Sequence, residues 1–563
     1  MAHLIFMVLL ILCSSADTAN AQASGRSDAE PGKIEDRIKR PSIQAPAAKQ
    51  PDTPKLPEPY TEPAESDGAF VLAGVEIIGA TIYPEAEFAA FYEPLLATEI
   101  KVSEIQAITR KITDKYKDDG YFLASAVAEP QDLALGILRI RVIEGAITKV
   151  SYSGDLSDRA ALLEEFAAKI KQQKPARLDN LERYMLLIDD LPGATVEGSL
   201  KPVNKDAGEF ELVLAIGHDT TDAYASVDNR GTRSVGRVQA LLHGDLNKGV
   251  TNSERTGLTL FTIPRTPKEL VYGELTHEQH FGTEGLKVWL SASHSAADVG
   301  GIYSTSDLGS RGSRAVLGAS YPLIRARDQN LTLRTSFDVS NQRQDQDDER
   351  ISDDRLRILR IGADFNWNDD LDGQNSGSVE LSRGYNVMGA SDGIYPGQSR
   401  SPSLSDGHVS FTKVTAFASR RQKIGDSWAA QLSVTGQKAN RQLLSGEEFY
   451  LGGSQFGRAF DSGEISADEG AAMSFEVQYG RFLSKPYLDS YQFYGFYDLG
   501  VVWEIEEDHF SDGATLSSAG GGMRLGFTKD VFAGLEVAKP LSRIVANEGD
   551  KGPRVFFYFL INK

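Results

Sequence analysis

Two charged residues stand out by their settings. Arg458 is the single arginine in the glycine- and aromatic-rich stretch Leu451-Gly452-Gly453-Ser454-Gln455-Phe456-Gly457-Arg458-Ala459-Phe460. Asp498 lies in a segment where Tyr491, Phe493, Tyr497, Leu499, Val501 and Trp503 alternate with Gln492, Tyr494, Phe496, Asp498 and Gly500. On a strand, the first set forms an apolar face and the second leaves Asp498 as a lone carboxylate, beside a glycine with room for something to approach. A guanidinium fork on a carboxylate is the strongest pairing available for pinning a loop to a wall. On spacing alone, two separately solvated charges are an equal alternative.

Bond-making chemistry finds less support. His277 and His280 (HEQH) evoke a metal motif, but zinc-binding helices place the two histidines at i and i+4. Here the spacing is i and i+3 in a strand region, which puts the rings on opposite faces. Neither a Gly-x-Ser-x-Gly elbow nor a phosphate-binding glycine motif occurs. We therefore expect no catalytic residues, no metal and no cofactor, so not an enzyme. The acidic balance, a net charge of −20, argues against nucleic acid, which wants a clustered basic face.

The elements that must position these residues begin with an export signal. Leu4 to Leu12 is an apolar run too short to span a bilayer, and it is followed by the small-residue site Ala19-Asn20-Ala21. Residues 1–21 read as a signal peptide, although the n-region carries only His3 and the amino terminus. The one cysteine, Cys13, follows a bulky Leu12 where lipidation sites want a small residue, so cleavage leaves no thiol for disulfides, metals or nucleophilic attack. Residues 22–67 hold a short helical segment, 31–40, and then prolines at 41, 46, 51, 54, 57, 59 and 63 that deny it continuation. Residues 68–145 read as a β-α-α-β-β unit, with strands over 70–80, 121–127 and 133–143 and helices over 84–95 and 103–118. Residues 146–217 repeat the order, a tandem copy of one small fold. From 218 to 563 helical stripes vanish. Segments such as 331–339, 359–367 and 428–436 alternate apolar with polar residues, separated by polar loops such as 341–354 and 391–407. With aromatics on the apolar face and a signal peptide upstream, that stretch suits a membrane β-barrel of about 16 antiparallel strands better than a sandwich. The fold class expected is thus two α+β units followed by an all-β transmembrane barrel.

In this order the motifs resemble those of the two-partner secretion transporters, the TpsB or haemolysin secretion-activation family, within the superfamily that includes the barrel-assembly insertases. The likeness covers essentially the whole mature chain. It rests on the 31–40 segment before the prolines and on Gly120-Tyr121, Pro130-Gln131 and Val142-Ile143-Glu144-Gly145 in the first repeat. Leu191-Pro192-Gly193, Asp228-Asn229-Arg230-Gly231, Leu451-Gly452-Gly453 with Gly457-Arg458-Ala459-Phe460, and Phe496-x-Asp498-x-Gly500 complete it. The resemblance implies that the repeats are polypeptide-transport-associated (POTRA) domains and that the 31–40 helix plugs the pore. It also implies that the sixth extracellular loop folds back into the lumen to pair Arg458 with Asp498, supported by Gly457, Phe460, Phe496 and Gly500. Two departures stand out. The family's loop reads Val-Arg-Gly-Tyr/Phe where this chain has Gly457-Arg458-Ala459-Phe460, and the chain finishes Ile561-Asn562-Lys563 without the usual terminal aromatic, although Phe557 and Phe559 lie in the last strand.

The implied function is an outer-membrane pore that secretes one large partner exoprotein without ATP, with POTRA domains in the periplasm capturing the unfolded partner. The 133–143 strand or those of the second repeat are the expected capturing edge. The barrel-assembly machinery would insert the chain among outer-membrane lipid. An insertase, a passive porin and an outer-membrane hydrolase are the alternatives, in that order.

Overall fold

The computed structural model describes residues 68–563 except 155–158, 249–250, 252, 300–307, 391–400 and 506–512. The expected signal peptide, plug helix and linker lie outside the described residues, as does most of the 391–407 loop.

The first unit is built on one amphipathic helix, Val102–Asp118. The Glu104 carboxylate accepts the Lys101 N–H (2.7 Å), closing the helix start. Ile105, Ile108, Ile112 and Tyr116 form its buried stripe. Gly120, at φ +91°, ends the element in a conformation that side chains resist. The stripe packs on a three-stranded sheet ordered Gly74–Ile78, Ile137–Ile143, Ser125–Val127. Several expected elements are shorter or broken. The strand over 70–80 splits at Leu72 and Ala73, and Ala69–Val71 pairs instead with Glu99–Lys101. The helix over 84–95 breaks into single turns between Pro84 and Pro94. The strand over 121–127 starts only at Ser125, because Phe122 and Leu123 turn away into the core of the next unit.

One of the two expected capturing edges, the 133–143 strand, needs correction. Ile137–Ile143 is the central strand, parallel to Gly74–Ile78 on one side and antiparallel to Ser125–Val127 on the other. Where the short edge strand runs out, the Gln131 amide takes its place. It accepts from the Arg139 N–H (2.7 Å) and donates to the Arg139 carbonyl (2.8 Å), so no backbone is left open there.

The second unit runs Ala146–Gly154, Ala160–Gln172, Leu178–Asp189, Ala194–Asn204 and Glu209–His218, with the last strand again central. The two units interlock. The Gly120 and Gly145 carbonyls accept the N–H groups of Leu178 and Ala176, each at 2.9 Å.

The remaining chain closes on itself as a 16-stranded antiparallel barrel, from Thr221–Asp228 to Arg554–Asn562, each strand pairing with its neighbours in sequence. The closing seam joins the last strand to the first, from Tyr558 opposite Asp228 to Asn562 opposite Tyr224. Leu242, Leu258, Leu275, Leu290, Leu317 and Ile361 stand exposed on the outer face, while charged and polar side chains fill the lumen. Strand lengths reach 20 residues in Glu349–Asn368, about twice what a tilted strand needs to cross a bilayer. The expected 341–354 loop is consequently mostly strand. Its polar residues continue the hairpin past the apolar band, and only Asp347 and Asp348, with φ of +51° and +65°, make the turn. The second unit is docked beneath the barrel. Glu284, in the turn between Val271–Phe281 and Leu286–Val299, takes Lys169 (2.9 Å) and the Tyr184 hydroxyl (3.0 Å), while Arg325 forks onto Asp190 at 2.8 and 2.7 Å.

Ile140, fully buried under the Val102–Asp118 stripe, tests the first unit. Ile140→Ala is expected to cost about 3 kcal/mol, read as an earlier midpoint when the unit is unfolded in urea and followed by circular dichroism. An unchanged midpoint would mean the packing described is not what holds the unit together.

Candidate functional site

The site is built by the segment between the strands Trp428–Ala439 and Glu469–Lys485. Short strands Phe449–Leu451 and Ile465–Ala467 pair as a ribbon, and the loop they carry folds into the barrel. Three glycines make this possible. Gly452, Gly453 and Gly457 have φ of +110°, +97° and +86°, and a side chain on Gly452 or Gly457 would collide with the Asp461 carbonyl or with Leu516. Leu451, Ala459, Phe460 and Ile465 then pack on Leu516, Val502 and Phe556 of the wall.

This packing delivers Arg458 to Asp498. The guanidinium donates from Nε (3.1 Å) and Nη2 (3.0 Å) to the two carboxylate oxygens, a two-pronged contact. The backbone N–H groups of Gly457 (3.2 Å) and Arg458 (2.9 Å) reach the same carboxylate. Arg458 is 5% exposed and Asp498 0%, so neither charge is solvated. Phe496 lies flat beneath the guanidinium, 3.5 Å from ring centroid to Cζ. Gly500 leaves the space that Leu451 fills, since a Cβ there would overlap Leu451. The displaced family glycine has a local explanation. Gly457 supplies the left-handed backbone, while Ala459 is fully buried in the apolar cluster.

Sequence reasoning missed most of the wall around this contact. Ser474 and Ser518 sit directly across from Asp498 on its two neighbouring strands and donate to it at 2.7 and 3.2 Å. Glu476 accepts Arg458 Nη1 (2.5 Å) and Arg524 (2.7 Å). Arg230, from the Asp228–Gly231 motif, reaches the Arg458 carbonyl (3.3 Å) and Glu536 (2.7 Å), and Arg554 reaches the Ala459 carbonyl (3.0 Å) and Asp461 (2.6 Å). Alternation places Ser474, Glu476, Ser518, Arg524, Glu536 and Arg554 in the lumen, but only the strand register, and for Arg230 and Asp461 the course of the loops, says which of them meet. Beyond the loop tip, a cavity of about 550 Å³ is lined by Ser454, Gln455 and Phe456 on one side and by Phe417, Ser419, Gln431 and Ser433 on the other.

The first-repeat residues do not join this site. Glu144 instead braces the first unit, accepting from Thr81 and Ile82 N–H groups (2.7 and 3.0 Å), the Thr81 hydroxyl and the Tyr116 hydroxyl (2.8 Å). Burial pushes its pKa up, but these donors outweigh burial and hold it below the ordinary glutamate value. Pro130 is exposed and has no N–H to continue the strand, Tyr121 lies under the Arg177 guanidinium, and Gly145 packs where a Cβ would press on Leu123. His277 faces outward and His280 sits beside Glu278, and no cluster of three or more metal-ligating side chains occurs among the described residues.

The family pattern described as Haemolysin secretion/activation protein ShlB/FhaC/HecB matches residues 217–525, more than half of the chain, and the pattern described as POTRA domain, ShlB-type matches residues 70–145. The chain belongs to this haemolysin secretion/activation family, the transporters of two-partner secretion, outer-membrane barrels preceded by POTRA domains. It is similar to the Heme/hemopexin transporter protein HuxB of Haemophilus influenzae, 25% identical over 512 residues that cover 88% of this chain and 87% of that one. It is also similar to the Outer membrane transporter CdiB of Escherichia coli, 23% identical over 479 residues covering 83% and 78%. Among solved structures, CdiB from Escherichia coli matches with a TM-score of 0.70 at 19% identity, and CdiB from Acinetobacter baumannii with 0.59 at 15%. Both matches cover 97% of this chain and 100% of the other, and they show a shared fold.

Two measurements check the geometry. Asp498→Asn keeps the shape but removes the charge that faces Arg458; breaking a buried pair this way costs about 3–5 kcal/mol. It should expose residues 453–457 to protease added outside cells, and a loop as protected as in the wild type would contradict the contact. Glu144 is held low, so its ionised form stabilises the first unit above its ordinary pKa of about 4.3, and that stability is lost as pH falls through the lower folded value. Glu144→Gln should flatten this acid-side loss in urea midpoints measured between about pH 5 and pH 2.

Proposed function

We propose that the chain is an outer-membrane secretion pore for one large partner exoprotein, which it passes outward without ATP. Membership of the two-partner secretion family supports export of a partner, and one observation carries the gating: a loop charge buried against Asp498 inside a closed barrel. The periplasm offers no nucleotide, so binding of the partner within and its folding outside must bias the passage. The loop occupies space that a chain in transit needs, so export requires the loop to give way.

The second unit repeats the first unit's element order, and we read it as another POTRA domain. Its outermost strand Ala194–Asn204, 11 residues long, is the longest edge in either small sheet. An extended partner segment can add to such an edge through backbone hydrogen bonds. The names of the relatives give haem–haemopexin transport for one of them, and the cargo here is best sought in a large secreted protein encoded beside this chain.

Co-expression with that partner tests the reading. The partner should appear in the medium only when the pore is present, with photo-crosslinkers at Glu197 and Lys201 capturing it in transit. Secretion without any crosslink at this edge would remove the capture step. A chain that restores assembly of other barrels but exports nothing would favour the insertase.

A further inference from the structure

The lumen loop is tied to the wall a second time, at a place nothing in the family motifs marks. Eleven residues before Arg458, Glu447 projects from a single helical turn, Ser445–Glu447, toward strands on another part of the barrel. Its carboxylate accepts Arg360 Nη2 (2.7 Å) from Glu349–Asn368 and Lys413 Nζ (2.8 Å) from Thr412–Ile424. Its carbonyl accepts Lys413 Nζ (2.8 Å) and Gln437 (3.0 Å). Both Lys413 and Glu447 are 7% exposed, and Leu443 and Leu444 seat the same limb on Val409 and Phe411.

The two contacts are of opposite polarity. At Glu447 the loop offers an anion to wall cations; at Arg458 it offers a cation to wall anions. In both, the wall residues already have partners of their own. Arg360 also holds Asp338 (2.9 Å) and Ser382 (2.8 Å), and Lys413 reaches Gln437 (3.2 Å). Across the lumen, Glu476 holds Arg524 and Asp498 holds Ser474 and Ser518. A loop charge that leaves such a network reaches water, while Arg360 keeps Asp338 and Glu476 keeps Arg524. Lys413 and Asp498 keep only neutral partners, so these remaining pairs lower the cost of release without removing it.

Resting on the reading of the loop as the gate, we propose that Glu447, Arg360 and Lys413 form a second clasp. The loop is a crossbar fastened at both ends, and each clasp adds its own share to the stability of the closed state. Glu447 is a positioning residue for translocation; it need not touch the exoprotein.

Full-length protein in planar bilayers tests this, with heat-modifiable migration on gels confirming a folded barrel for every variant. Glu447→Lys, which sets like charges against Arg360 and Lys413, should raise the open fraction on the order of tenfold. Glu447→Lys combined with Lys413→Glu should return it toward wild type, a rescue that lost packing would not show. Arg458→Ala is the reference for the first clasp, and Arg458→Ala with Glu447→Lys should open further than either alone. If Arg458→Ala opens the pore and Glu447→Lys does not, the second clasp is overturned while the gate stands. If neither changes the open fraction, the gate and the clasp fall together.

Discussion

A charge inside the barrel can persist only if it is paired, and this constraint organises the structure around Asp498. The carboxylate is wholly buried and receives the Arg458 guanidinium, two backbone N–H groups of the loop and two serine hydroxyls of the adjacent strands. Other features follow from that demand. The loop must turn sharply enough to present its backbone, hence the left-handed glycines. It must come close to the wall, hence Gly500 opposite Leu451. The guanidinium face must also be covered, and Phe496 covers it. Moving any one of them leaves a buried charge short of partners, which costs several kcal/mol.

The same constraint reads differently on the two sides of the wall. Outside, exposed leucines and isoleucines ask only for lipid and place no demand on register. Inside, each charge needs a particular neighbour, so strand register becomes a functional property. Ser474, Asp498 and Ser518 line up across three strands, and a slip of one residue would turn the carboxylate outward into the apolar band. The second unit is joined to this frame by the Glu284 and Asp190 contacts, which hold it close beneath the barrel.

Much of this was legible in the sequence, for reasons that also mark where legibility ends. Alternation in 491–503 set Asp498 on the lumen side, and Arg458 was conspicuous because no other cation shares its segment. The repeat of element order showed the two small units. By contrast, Glu476, Arg524 and Glu447 look like any other lumen-facing charge, because which of them meet depends on register and on a loop crossing the barrel. The 133–143 strand was misplaced as an edge for a similar cause, whereas the second repeat, the other expectation, does present edge strands. The parallel pairing of Gly74–Ile78 with Ile137–Ile143 joins strands about 60 residues apart through a crossover, and no local pattern reveals which strand lies in the middle. The 341–354 stretch read as a loop because polar residues on both faces hide a strand that has left the membrane.

We propose that this loop shuts the pore and must leave the wall for the partner to pass. Cysteines at Leu451 and Gly500 test it most directly, since the two positions are in contact and removing the Leu451 side chain makes room for one at 500. The measurement is export of the partner exoprotein by Leu451→Cys/Gly500→Cys under oxidising conditions and after reductant, with each single cysteine as control. With the loop as the gate, export stops when the disulfide forms and returns on reduction. Equal export in both states, with the disulfide shown to be present, would mean that the partner passes a loop that stays where it is, and that this loop is not the gate.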